Sequence, residues 1–270
     1  MSDPRELEAF LRNTVKARLA QDRLALIFTV RQWRTIDIAR TVKSCGYDGL
    51  YVDMEHSAIT FDATAQICTA ALEIGVTPLV RVPSCDPYFV GQALDGGAMG
   101  IIAPHVETAE DARLAVAAAK YPPHGHRSIS TTIPQLRYEN FQADHAFALI
   151  NAETLVVPMI ETRRGLDNVR EIAAVDGVDV LMVGSNDLCA DLGIHGQFDH
   201  AALRDAYQRT IAACRPLGKY VGIGGLAGRA DLTASLVAAG ARFVSAGTDQ
   251  FFMIAAAHER ASALRALEGN

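Results

Sequence analysis

With 270 residues, half of them hydrophobic and 21% charged, the chain has the length and apolar content of one large α/β domain, which excludes a disulfide-stapled module and a disordered segment. Twenty-five basic against thirty-one acidic residues give a formal charge of −6, and no basic run offers a track for a phosphate backbone, so no nucleic-acid partner is expected. Five widely spaced cysteines without a CxxC pair, an N-terminus of mixed charge and no apolar run long enough for a bilayer predict a cytoplasmic protein that makes no membrane contact.

The chain opens with a helix-like segment from Arg5 to Leu19, whose apolar residues recur at three- and four-residue steps. Eight short apolar runs follow, at 24–30, 49–54, 77–82, 100–104, 155–160, 179–184, 220–225 and 242–247. Amphipathic, alanine-rich stretches lie between most of them and end near Gly46, Gly75, Gly97, Gly177, Gly218 and Gly240, each a candidate left-handed C-cap. Several strand runs, LVVPMI and DVLMVG among them, are apolar almost throughout, the pattern of parallel strands buried on both faces. Eight such units predict a closed (β/α)8 barrel over residues 1–270. An open dinucleotide-binding sheet would carry G-x-G-x-x-G after the first strand, and the chain reads RQWRTID there. One connection is long: 121–150 separates the fourth and fifth strands, which predicts a functional loop or an interface.

Barrel chemistry sits at the C-terminal strand ends, so the residues there are the candidates. They are Asp53, Glu55 and His56 after strand two, Arg81 in strand three, Pro104 and His105 after strand four, Glu161 after strand five and Asp187 after strand six. Glu161 and Asp187 offer hard oxygen ligands to one Mg²⁺ or Mn²⁺, or alternatively are solvated loop acids. Arg81, set among Leu79, Val80 and Val82, needs an anion, which a protein carboxylate or a substrate could supply. His56 beside acids is a candidate general base or a plain surface histidine. The turn at 184–186 presents backbone N–H groups that suit a carboxylate, while His105 shows no ligand spacing and Cys189 reads as a buried small hydrophobe.

The segments DMEHS (53–57), LVRVPSCDP (79–87), LDGGAMGIIAPHVETAEDAR (94–113), YPPHGHR (121–127), IETRRGLDN (160–168) and GVDVLMVGSNDLCADLG (177–193) resemble, in order and spacing, the HpcH/HpaI family of metal-dependent class II pyruvate aldolases. The resemblance spans roughly residues 24–250. It implies a divalent cation (Mg²⁺ or Mn²⁺, with Co²⁺ an alternative) on Glu161 and Asp187. It further implies a substrate arginine at Arg81, a His–Asp dyad at His56 and Asp95, and substrate-carboxylate amides around Ser185 and Asn186. The implied activity joins or separates a 2-oxo acid such as pyruvate and an aldehyde. The implied assembly is a homohexamer, a trimer of dimers, with the helix after Phe251 exchanged between subunits and the long loop near a neighbour's site.

Three departures stand out. Met159 occupies the place of a common glutamine, GSNDLC replaces the usual GPADLS turn, and VRQWRT follows strand one in place of a serine-proline turn. They keep open an alternative use of the same chemistry, a citrate-synthase-like condensation or an oxaloacetate-type decarboxylation.

Overall fold

A computed structural model describes residues 4–269. Eight parallel strands close into a barrel in sequence order: β1 (Ala25–Val30), β2 (Gly49–Asp53), β3 (Thr77–Arg81), β4 (Gly100–Ala103), β5 (Leu155–Ile160), β6 (Val180–Gly184), β7 (Tyr220–Gly224) and β8 (Phe243–Thr248). The ring closes through β1–β8 pairing, which shifts register between Ile27 and Phe28. Each strand lies within a residue or two of its predicted run. The six predicted cap glycines all have positive φ.

Two apolar layers hold the barrel together. Ile27, Tyr51, Leu79, Ile102, Val157, Met159, Val180, Met182 and Phe243 pack in one cluster that also takes in Val15 and Leu19. A second cluster packs the outer strand faces, with residues such as Val80, Ile101, Val156 and Leu181, against the surrounding helices. This two-sided burial explains the unbroken apolar runs.

The predicted N-terminal helix is two helices, Pro4–Leu11 and Thr14–Leu19. Asn13 breaks it. Its side chain accepts from the Lys16 N–H and donates to the carbonyls of Met99 and Glu153, leaving it fully buried. The second helix thereby closes the end of the barrel where the strands begin. Val15 donates its N–H to Thr77 Oγ1, and a Cβ on Gly49 would come within 2.8 Å of Val15 Cγ2. Burying Val15 and Leu19 there contributes about 1.5–3 kcal/mol each.

The long connection is partly helical. Helix Ala143–Glu153 packs Ala146 and Ile150 against Leu7 and Leu11, with Tyr121, Ile133 and Leu136 alongside. Its role within one chain is to dock the first helix against the barrel. The last helix, Asp249–Arg265, is different: Asp249 is its one fully buried residue, and Met253 and Ile254 are each 62% exposed. Among the described residues, no helix is long and apolar enough to cross a membrane.

Candidate active site

The C-terminal strand ends surround a cavity of about 240 Å³ lined by Arg31, Tyr51, His56, Arg81, Met159 and Asp187, among others. Its anchor is Asp53, the last residue of β2, which is fully buried. Arg81 at the end of β3 donates from Nε to Asp53 Oδ1 (2.9 Å) and from Nη2 to Asp53 Oδ2 (2.5 Å), a two-pronged pair. Arg31, just beyond β1, donates its Nε to the same Oδ2 at 2.6 Å. The N–H groups of Glu55 and His56 donate to Oδ1 at 3.2 and 3.1 Å. Burial works to raise the Asp53 carboxyl, but the Arg81 hydrogen bond and charge, with help from the His56 amide and Arg31, hold it below its ordinary range. Burial also works to lower the Arg81 guanidinium. The bond to Asp53 outweighs it, so Arg81 stays charged.

Glu55 extends this network. Its Oε2 lies 3.0 Å from Arg81 Nη1, and its Oε1 lies 2.8 Å from His105 Nε2. His105 follows β4 with φ +56°, a left-handed turn uncommon for a non-glycine. That turn aims its N–H at Glu161 Oε2, 2.9 Å away. Histidine spacing in the sequence gave no sign of this role, because the contact depends on a backbone conformation and on adjacent strand ends.

Glu161, at the end of β5, is nearly fully buried. Burial pushes its carboxyl up, and the nearby charges of Glu55 and Asp187 push the same way, outweighing the His105 amide. A Cβ on Gly184, the last residue of β6, would meet Glu161 Cγ at 2.7 Å and Oε1 at 2.8 Å, so glycine there makes room for this side chain. The chemistry fits a hard dication: oxygen donors, one of them buried at Glu161 and one exposed at Asp187, with a repulsion on Glu161 that a positive ion would relieve. Among the described residues, no three His, Cys, Asp or Glu side chains converge as a ligand set.

Other predicted positions turn out differently. The Ser185 and Tyr207 hydroxyls share a hydrogen bond of 2.8 Å, so the Ser185 side chain is engaged within the protein. Asn186 lines the cavity at the start of the helix Ser185–Asp191. Cys189 is buried and its thiol is pushed up by desolvation, which fits a packing role. The expected His56–Asp95 dyad is not assembled within one chain. Asp95 ends the helix Pro87–Asp95, nine residues and about 13 Å long, whose first residue lies at the end of the loop that follows β3. There it accepts from Arg127 Nη2 at 2.7 Å and lines a separate cavity of about 660 Å³. His56, half exposed, has Glu55 Oε2 3.7 Å from its Nε2.

The barrel and the cavity at its C-terminal strand ends define an enzyme of the (β/α)8 class. The chain belongs to the HpcH/HpaI aldolase/citrate lyase family, whose description matches residues 33–256. It is 38% identical over 259 residues to a Chaetomium globosum protein named 4-hydroxy-4-methyl-2-oxoglutarate aldolase cghB, covering 95% of this chain and 96% of that one. The crystal structure of an HpcH/HpaI aldolase from Desulfitobacterium hafniense superposes with a TM-score of 0.87 at 29% identity, covering 94% of this chain and 96% of that one. The structure of citrate synthase SbnG gives 0.84 at 25% identity, with 96% and 100% covered.

Proposed function

We propose that residues 1–270 form one catalytic domain, a divalent-metal-dependent aldolase that cleaves or forms the C–C bond between pyruvate, or a related 2-oxo acid, and an aldehyde or other carbonyl acceptor. The observation that carries the reading is the buried Glu161, whose carboxyl is pushed up by burial and by the charges of Glu55 and Asp187, packed on Gly184 of the cavity that Asp187 and Arg81 line. The family membership and the 38% identical relative support it.

Glu161 and Asp187 would hold Mg²⁺ or Mn²⁺, which would supply Lewis acidity to the oxo acid. Arg81 has five N–H donors, of which three meet Asp53 and Glu55. Its Nη1 otherwise finds only the Met159 thioether, 3.9 Å away, a weak acceptor. A donor is therefore available for the charge that develops on the C2 oxygen as C3–C4 breaks. The Ser185 and Asn186 amides hold the substrate carboxylate. His56 takes the proton from the C4 hydroxyl in cleavage. Asp95 is 44% exposed at its side chain on the outer layer, so it could orient only the His56 of a neighbouring copy.

A homohexamer would supply that copy. The exposed Met253, Ile254, Leu264 and Leu267 along the last helix and the turn after it form an apolar surface suited to a second chain. The five free cysteines suit a reducing, cytoplasmic compartment. Met159 favours a second reading, the citrate-synthase-like condensation or oxaloacetate-type decarboxylation, because the usual amide contact is gone.

Pyruvate release from 4-hydroxy-2-oxo acids, coupled to lactate dehydrogenase, tests the assignment. Activity should vanish in EDTA and return with Mg²⁺ or Mn²⁺. Activity unaffected by chelation refutes it, and oxaloacetate turnover without aldol cleavage moves the assignment to the second reading.

A further inference from the structure

Arg31 belongs to the VRQWRT segment, one of the three departures from the family's pattern. The segment is fixed in place, since the Asp249 carboxylate accepts the N–H groups of Arg31, Gln32 and Trp33 at 2.8–3.2 Å. Arg31 lines the cavity with its side chain 31% exposed. Its Nε is taken by Asp53, while its Nη1 and Nη2 groups meet no protein acceptor among the described residues. Arg81, by contrast, has Asp53 and Glu55 around it. Asp53 is shared by both guanidiniums, and Arg31 keeps two terminal amino groups with no protein acceptor beside the cavity.

The position matters as much as the charge. In the closed ring β1 is diametrically across from β5, and it is separated from β6 by β7 and β8. Arg31 therefore faces the cavity from the wall opposite Glu161 and Asp187. An oxo acid seated on those acids and on the Ser185–Asn186 turn would extend its far end toward β1.

We propose that Arg31 is a specificity residue that binds a second carboxylate on the acceptor-derived half of the substrate. The substrate class is then a 4-hydroxy-2-oxo acid with a further carboxylate at or beyond C4. A guanidinium with both terminal amino groups free offers the fork that a carboxylate fits. This rests on the aldolase reading and narrows it. In cleavage the C4 hydroxyl gives up its proton to the base and its O–H electron pair forms the C4 carbonyl. The C3–C4 pair moves to C3 and onto the C2 oxygen, and C3 then takes a proton. The products are pyruvate and a carboxylated carbonyl compound, and no oxidant is needed.

The test uses two probes of equal length, 4-hydroxy-2-oxoglutarate and 4-hydroxy-2-oxopentanoate, which differ by a carboxylate against a methyl group. Pyruvate release from each is measured for the Mg²⁺-loaded wild type, Arg31→Gln and Arg31→Lys. The wild type should favour the dicarboxylate in kcat/KM, and Arg31→Gln should cut that preference on the order of 30-fold, chiefly through KM. Arg31→Lys, which keeps the charge without the fork, should fall between. The ratio of the two substrates cancels any general disturbance of Asp53 and Arg81. A wild type that cleaves both probes without preference, or a preference that survives Arg31→Gln, overturns the proposal and leaves the aldolase reading intact. If neither probe yields pyruvate, the aldolase reading fails and this proposal with it.

Discussion

Substituting Asp53 by Asn tests whether one buried carboxylate organises the mouth. The amide keeps an acceptor for the Glu55 and His56 N–H groups but sets an NH₂ against Arg81 Nη2 and Arg31 Nε, donors facing donors. Removing one partner of a buried pair costs about 3–5 kcal/mol. Two features moderate the cost here: Glu55 still lies 3.0 Å from Arg81, and Arg31 is partly solvated. A loss of about 3 kcal/mol is expected, or roughly 6–10 °C in melting temperature for a chain of this size. Urea unfolding followed by circular dichroism reads it, with the slope against denaturant unchanged. The pH dependence carries a sign. Asp53 is held below the ordinary carboxylate range, so its contribution is complete above about pH 4 and is lost as pH falls through its folded value. The gap between wild type and Asp53→Asn should hold steady from about pH 5 to 7 and close only in acid. A loss under about 1 kcal/mol, or a gap that closes on the alkaline side, would show that Asp53 does not bear this network.

Glu161→Gln should abolish divalent-ion binding by calorimetry while raising the melting temperature of the metal-free protein near neutral pH. Its carboxyl is held high by burial, so the stability it contributes is present in acid and lost as pH rises through its folded value, and the gain should vanish near pH 4. A metal-free Glu161→Gln protein that melts lower than wild type at pH 7 would contradict this. His56→Ala should slow pyruvate release about 10²–10⁴-fold with ion affinity unchanged, and a loss of ion binding would reassign the residue. Asn13→Ala should cost about 2–3 kcal/mol in urea unfolding, because it uncaps the helix Thr14–Leu19 and strands the Met99 and Glu153 carbonyls. A change below about 1 kcal/mol would deny it the anchoring role.

The barrel was legible because burial on both strand faces leaves a continuous apolar run, and LVVPMI at 155–160 matches β5 residue for residue. The acids after those runs were legible for the same reason, since a charge following six buried residues must sit at a strand end. What stayed hidden depends on partners distant in sequence. Asn13 meets the Met99 carbonyl 86 residues away, so the helix break left no local trace. Arg31 joins the site through Asp53 on the neighbouring strand, and Glu55 and His105, legible as strand-end residues, gave no sign of their partners Arg81 and Glu161, the His105 contact needing a turn that no residue pattern announces. Asp95 shows the opposite limit. A motif assigns it to His56, yet the helix that carries it leads away from the mouth, to Arg127.

The plug formed by Val15 and Leu19 has a bearing on access. With the strand-start end of the barrel filled by buried side chains, the cavity at the C-terminal strand ends has no passage through the barrel axis. A ligand of that cavity therefore has to come and go from the strand-end face, past the residues that follow each strand.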